Sequence, residues 1–227
     1  MGRFQYHLFN PRALSADTVQ LSNDVYDLWK KVYKDVLGSV GEPLNPDDFH
    51  RCDVIVAVTD NNKVFGFHMY SVFDLRSNAL RDHHYMAAFD DIIIQKFKSL
   101  GINTIMSMEY LTVSPDYRSR NSDVNWAEII IALGSKVMEA GGWDGLVGTA
   151  RKDLHVRRKA EKSGTNYFGS VKKMNYECEI VMTQRGRVQR LPDSKHADLV
   201  DVLWDAKANH TDILNESLIT VPTKKAA

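Results

Sequence analysis

Apolar residues recur along this chain with two periods, and each change of period marks an element. Residues 4–9 read as a short strand that Asn10-Pro11 ends. Ser15 makes a good N-cap, and beyond it Val25, Leu28, Trp29, Val32, Tyr33 and Val36 recur at three and four residues. This spacing predicts a helix to about Leu37, closed by Gly38. Residues 46–49 offer one helical turn. A β-branched run over 53–59, a turn over 60–63 and an apolar stretch over 64–75 predict a hairpin. The segment 77–101 starts polar and histidine-bearing, then becomes a helix over 87–100 with Phe89, Ile92, Ile93, Phe97 and Leu100 on one side.

A strand follows over 105–113, then a helix over 122–140 that is apolar nearly all round and so must be covered on most sides. The remainder predicts a short strand over 146–150 and a basic helix over 153–163. Two strand-like stretches within 167–184 follow, then a helix over 195–209 that resumes near Ile213. No repeat or linker interrupts the order. The reading is one α/β domain over 1–227, with a core over 1–185 and a helical extension over 190–220.

Composition narrows the class. Lysine plus arginine and aspartate plus glutamate both number 29, so no global charge draws the chain to nucleic acid or to an acidic membrane. No reader motif for nucleic acid is present either. Two cysteines, Cys52 and Cys178, are too few for a disulfide framework and fit a cytoplasmic protein. No apolar stretch is long enough to span a bilayer. His83-His84 has no supporting ligand spacing, so no metal is expected.

The chemistry concentrates in residues 105–145: strand, proline turn, basic loop, long helix, paired glycines. Where the helix begins, unpaired N–H groups and the positive end of the dipole favour an anion. Arg118 and Arg120 add donors suited to phosphate, and Ser122 is placed to cap the helix.

This order of elements, with the run Glu109-Tyr110-Leu111-Thr112-Val113-Ser114-Pro115-Asp116-Tyr117-Arg118, resembles the Gcn5-related N-acyltransferase superfamily. The resemblance covers most of the chain, but only this run is specific. It implies a mixed, mostly antiparallel central sheet flanked by helices. Two departures stand out. The glycines of the family's pyrophosphate loop are missing from residues 118–123, and glycine there lets backbone approach phosphate closely. About thirty residues, including a helix, also lie between what would be the third and fourth strands. Both departures are similar to the branch of acyl-homoserine-lactone synthases and long-chain N-acyl amino acid synthases. That likeness implies an acyl donor on acyl carrier protein, or acyl-CoA, and an amino acid or related amine as acceptor.

On that resemblance, Glu109 is the base that takes a proton from the acceptor ammonium. Backbone N–H groups near Leu111, Thr112 and Val113 hold the pantetheine arm, and Arg118, Arg120 and Ser122 hold its phosphate. Arg151, Lys152, Arg157, Arg158 and Lys159 form a cationic patch to which an acidic carrier protein would dock. Phe67, Met69, Met106 and Met108 from the sheet, with Phe89, Ile93 and Phe97 from the inserted helix, would line an acyl tunnel. Two rival readings fit the same residues: a coenzyme-A-dependent acetyltransferase, and a catalytically silent module that binds acyl carrier.

Overall fold

The computed structural model describes residues 3–118, 121 and 123–214. In chain order the elements are β1 (Phe4–Phe9), α1 (Val19–Gly38), α2 (Asp47–His50), β2 (Val54–Asp60), β3 (Lys63–Tyr70) and β4 (Val72–Asp74). Next come α3 (Asp91–Ser99), β5 (Thr104–Val113), α4 (Trp126–Gly141), β6 (Gly145–Arg151) and α5 (Val156–Glu161). The chain closes with β7 (Asn166–Lys173), β8 (Tyr176–Gln184), α6 (Ser194–Asp205) and β9 (Ala208–His210). The strands form one sheet in the order β7-β8-β6-β5-β3-β2-β1-β9, with β4 paired to β5. All pairings are antiparallel except β5–β6 and β1–β9. It is a mixed, mostly antiparallel sheet between helices, as expected.

Local chemistry explains the turns. Asn61 and Asn62, at φ 48° and 66°, supply the two left-handed residues of the β2–β3 hairpin. Met174 and Asn175, at φ 49° and 58°, do the same between β7 and β8. A bulky methionine rarely adopts this conformation, so the turn is held by its surroundings.

Alternation along β2 divides the core. Val54, Val56 and Val58 pack beneath α4 and α6, whereas Ile55 and Ala57 pack beneath α1 with Trp29 and Phe49. α3 lies on the same face as α1 and covers Ile105, Val147 and Ile180. The sheet therefore carries α4 and α6 on one side and α1 and α3 on the other. Among the described residues no helix is long and apolar enough to cross a membrane.

Several predicted boundaries move. α1 begins at Val19, because Ser15 and Thr18 close a hydrogen-bonded turn ahead of it. α4 begins at Trp126 with Asn125 in the cap position, not at Ser122, which lies outside the described residues. The Asp90 carboxylate accepts from Ile93 N at 2.8 Å and fixes the start of α3. That start turns Ile93, Ile94 and Phe97 inwards and leaves Ile92 67% exposed, against the predicted stripe. Residues 208–210 continue as a strand on β1, not as helix.

Candidate active site

The site begins as an irregularity in β5. Met69 pairs with Glu109 and Phe67 with Thr112, so β5 carries one extra residue there, a β-bulge. Tyr110 takes it up at φ 55°, an uncommon conformation for a side chain of this size. Its ring is gripped edge-on by Trp29 and Tyr33, with centroids 5.6 and 4.8 Å away, and its hydroxyl donates to Asp48 Oδ2 at 2.6 Å. On the other edge, the parallel ladder between β5 and β6 stops at Met108↔Gly148. Beyond that pair the strands part, and a cavity of about 170 Å³ opens between them.

The half of the cavity under α1 is polar. The Arg51 guanidinium faces the Glu109 carboxylate: Nη1 donates to Oε1 at 3.2 Å and Nη2 bonds Oε2. Ser107 Oγ also donates to Glu109 Oε1, at 2.6 Å. Arg51 Nε donates to Asp48 Oδ1 at 3.1 Å, and His84 Nε2 lies 3.2 Å from that same oxygen. Two carboxylates thus share one arginine, with Tyr110, Ser107 and His84 filling other positions around them. Lys173 opens on the same space, its ammonium 4.0 Å from the centre of the Tyr85 ring. Burial pushes that ammonium below the usual lysine range, and Glu109 pulls it back up.

The half facing α4 and α5 is apolar. Met108, Ile131, Gly148, Ala150, Val156, Ala160 and Val181 line it, and a β-carbon added at Gly148 would come within 2.9 Å of Met108 Cε. His68 is the exception. It is fully enclosed, bonded through Nδ1 to the Tyr70 hydroxyl at 3.1 Å, and burial lowers its pKa to about 3, so it is a neutral imidazole.

The residues singled out from sequence disperse. Glu109 and Leu111 line the cavity, while Thr112 pairs with Phe67 and bonds the Tyr110 carbonyl through its hydroxyl. The Val113 carbonyl accepts from Arg118 Nε at 3.1 Å, which pins that exposed guanidinium at the end of β5. Arg120 and Ser122 lie outside the described residues. Of the seven residues expected to wall a tunnel, Met108 alone lines this cavity. Phe67 and Met69 are packed beneath α1, Met106 beneath α4, and Phe89, Ile93 and Phe97 in the closed core under α3. Alternation sets the faces, with Phe67 and Met69 turned towards α1 and Met106 and Met108 towards α4.

The cationic patch is partly neutralised within the chain. Arg157 pairs with Glu161 and Glu179, and Arg151 pairs with Asp153 and stacks 3.7 Å from the centre of the Tyr176 ring. Lys159 Nζ bonds the Leu154 carbonyl, whereas Lys152 and Arg158 stand exposed. Sequence reading missed Arg51, Asp48 and Lys173. Asp48 and Arg51 sit three residues apart on one helical turn, the only local signal that they act together. Among the described residues, no group of three or more His, Cys, Asp or Glu gathers as a metal site.

No protein-family model matches the sequence, and no curated protein matches it either. Solved structures do match in fold. A CoA-dependent acyl-homoserine lactone synthase, BjaI, seen with SAM and isopentyl-CoA, superimposes with a TM-score of 0.57 at 10% identity, over 96% of this chain and 100% of that one. FeeM, an N-acyl amino acid synthase from uncultured soil microbes, gives 0.55 at 7% identity, over 80% and 90%. An agmatine N-acetyltransferase gives 0.55 at 7% identity, over 81% and 100%. The chain has the fold of the Gcn5-related N-acyltransferases, the one its sequence resembles.

Proposed function

We propose that this chain is an N-acyltransferase that moves a medium or long acyl group to the amino group of an amino acid or related small amine. The donor is a phosphopantetheine thioester, on acyl carrier protein or coenzyme A. One observation carries the reading: the parting of β5 and β6 joins an arginine-held carboxylate to an apolar passage. A thioester is already activated, so the chain has to align it with an amine, remove a proton and steady the oxyanion.

In this reading the donor's thioester arm lies between the parted strands, beside the β5 backbone from Glu109 onward that β6 no longer pairs. The acyl chain rests against Met108, Ile131 and Val181. The acceptor enters under α1 with its ammonium against Glu109, which Arg51 and Ser107 orient. Glu109 takes the proton, the neutral nitrogen attacks the thioester carbon, and the tetrahedral intermediate expels the thiolate. That thiolate takes up the second proton lost by nitrogen, leaving an amide and a free thiol. Arg118, fixed at the end of β5, is the described candidate for the donor phosphate.

The test is direct. Purified protein is given acyl-CoA or acyl carrier protein of graded chain length with a panel of amino acids and amines, and thiol release and amide mass are followed. Amide formation that disappears in Glu109→Gln supports the reading. Transfer of acetyl groups alone would favour the acetyltransferase, and donor binding without any amide would favour the silent module.

A further inference from the structure

Among the charged groups of the polar half, one has no ionic partner among the described residues. Arg51 is engaged by both Glu109 and Asp48, and Asp48 also meets Tyr110 and His84. Lys173 differs. Among the described residues no carboxylate pairs with its ammonium, which rests on the face of Tyr85. Tyr85 is itself fixed, fully buried, with its hydroxyl donating to the Val147 carbonyl at 3.0 Å. Lys173 is also the last residue of β7, just before the left-handed Met174, which lines the same cavity. A half-buried cation held on an aromatic ring and open to the cavity is placed to receive an anion, because a charge partly shielded from water gains when paired.

Resting on the acyltransferase reading, we propose that Lys173 receives the carboxylate of the acceptor, which is therefore an amino acid and not a simple amine. A zwitterion fits the charges on the two sides of this space. Its ammonium meets Glu109, and its carboxylate meets Lys173 across the cavity. A decarboxylated amine would leave Lys173 half-buried and without a carboxylate among the described residues, and would bind more weakly.

The experiment compares amino acids with their decarboxylated amines as acceptors, and N-decanoyl conjugates of both as ligands in calorimetry. The wild-type chain, Lys173→Met and Lys173→Arg are each measured. In the wild type the amino acid and its conjugate are preferred by about 30-fold, the scale of a charge-assisted hydrogen bond. Lys173→Met brings that ratio below about threefold, with the loss falling chiefly on the amino acid and its conjugate, and Lys173→Arg retains most of it. A ratio near one in the wild type, or an equal loss on both classes in Lys173→Met, overturns the assignment and leaves the transferase reading standing. Absence of transfer to any amine overturns the transferase reading. The calorimetric ratio then judges Lys173 alone, and binding of neither conjugate overturns it too.

Discussion

Arg51 grips Glu109 side-on: Nη1 reaches Oε1 at 3.2 Å, Nη2 bonds Oε2, and the two residues lie 58 positions apart. The Glu109 side chain is 4% exposed and that of Arg51 17%, so the pair is largely shielded from water. Removing one partner of such a pair is costly, because the other charge stays behind undischarged. Arg51→Met should lower stability by about 3 kcal/mol, a fall in Tm of roughly 6–12 °C for a chain of this size. Arg51→Met with Glu109→Leu should regain part of it. Chemical denaturation of the two variants checks this, and a double variant less stable than Arg51→Met would contradict it.

On the proposed reading, Glu109→Gln keeps the shape of the site and removes the acceptor for the proton. Turnover should fall by about 100-fold or more, with donor affinity nearly unchanged. Steady-state rates and calorimetry with the acyl donor separate the two quantities.

Gly148 gives the apolar passage its width. A β-carbon there would press on Met108 Cε at 2.9 Å and Met108 Cβ at 3.1 Å. Gly148→Val should narrow the passage, cutting transfer of long acyl chains at least about tenfold relative to acetyl, at a stability cost of about 1–3 kcal/mol. Equal losses for short and long chains would place the acyl group elsewhere.

Charge reversal distinguishes the donors. Lys152 and Arg158 remain exposed while their basic neighbours are paired or bonded within the chain. Lys152→Glu with Arg158→Glu should slow transfer from acyl carrier protein several-fold, more so at low salt, and leave acyl-CoA untouched. Rates measured with both donors across ionic strength decide the matter.

His68 titrates near 3 in the folded chain and near 6.5 when unfolded. Above pH 6.5 it is neutral in both states and contributes no pH dependence. Between 6.5 and 3 the unfolded chain binds a proton that the folded chain refuses, so stability falls by about 1.4 kcal/mol per pH unit as pH drops. His68→Asn should remove up to that much slope. Denaturant midpoints between pH 7.5 and 4.5 test the sign, and an identical slope in the variant would refute it.

How much of this was legible depends on the range of the forces involved. The β2–β3 hairpin was readable because Asn61-Asn62 and alternating apolar residues are local signals. Glu109 was placed on its strand for the same reason. The apolar character of Phe67 or Phe97, by contrast, says nothing about which sheet face it meets. Arg51 and Lys173 were invisible as site residues, since only the tertiary fold brings the residue after α2 and the last residue of β7 to the cavity that Glu109 lines. The start of α4 was missed because Asn125 spends its side chain on Glu128, bonding Oε1 at 2.8 Å, and makes no capping bond.

The opening between β5 and β6 reaches through the sheet, with Glu109 on one side and Ile131 on the other. On the acyltransferase reading, a molecule made there would lie with its head group on one side and its hydrocarbon on the other, like a cord laid through a notch. Its release would have to withdraw the hydrocarbon from the apolar side. Each added methylene lengthens the pull and adds about 0.8 kcal/mol of burial to undo. Departure, and not bond making, would then set the pace for the longest chains.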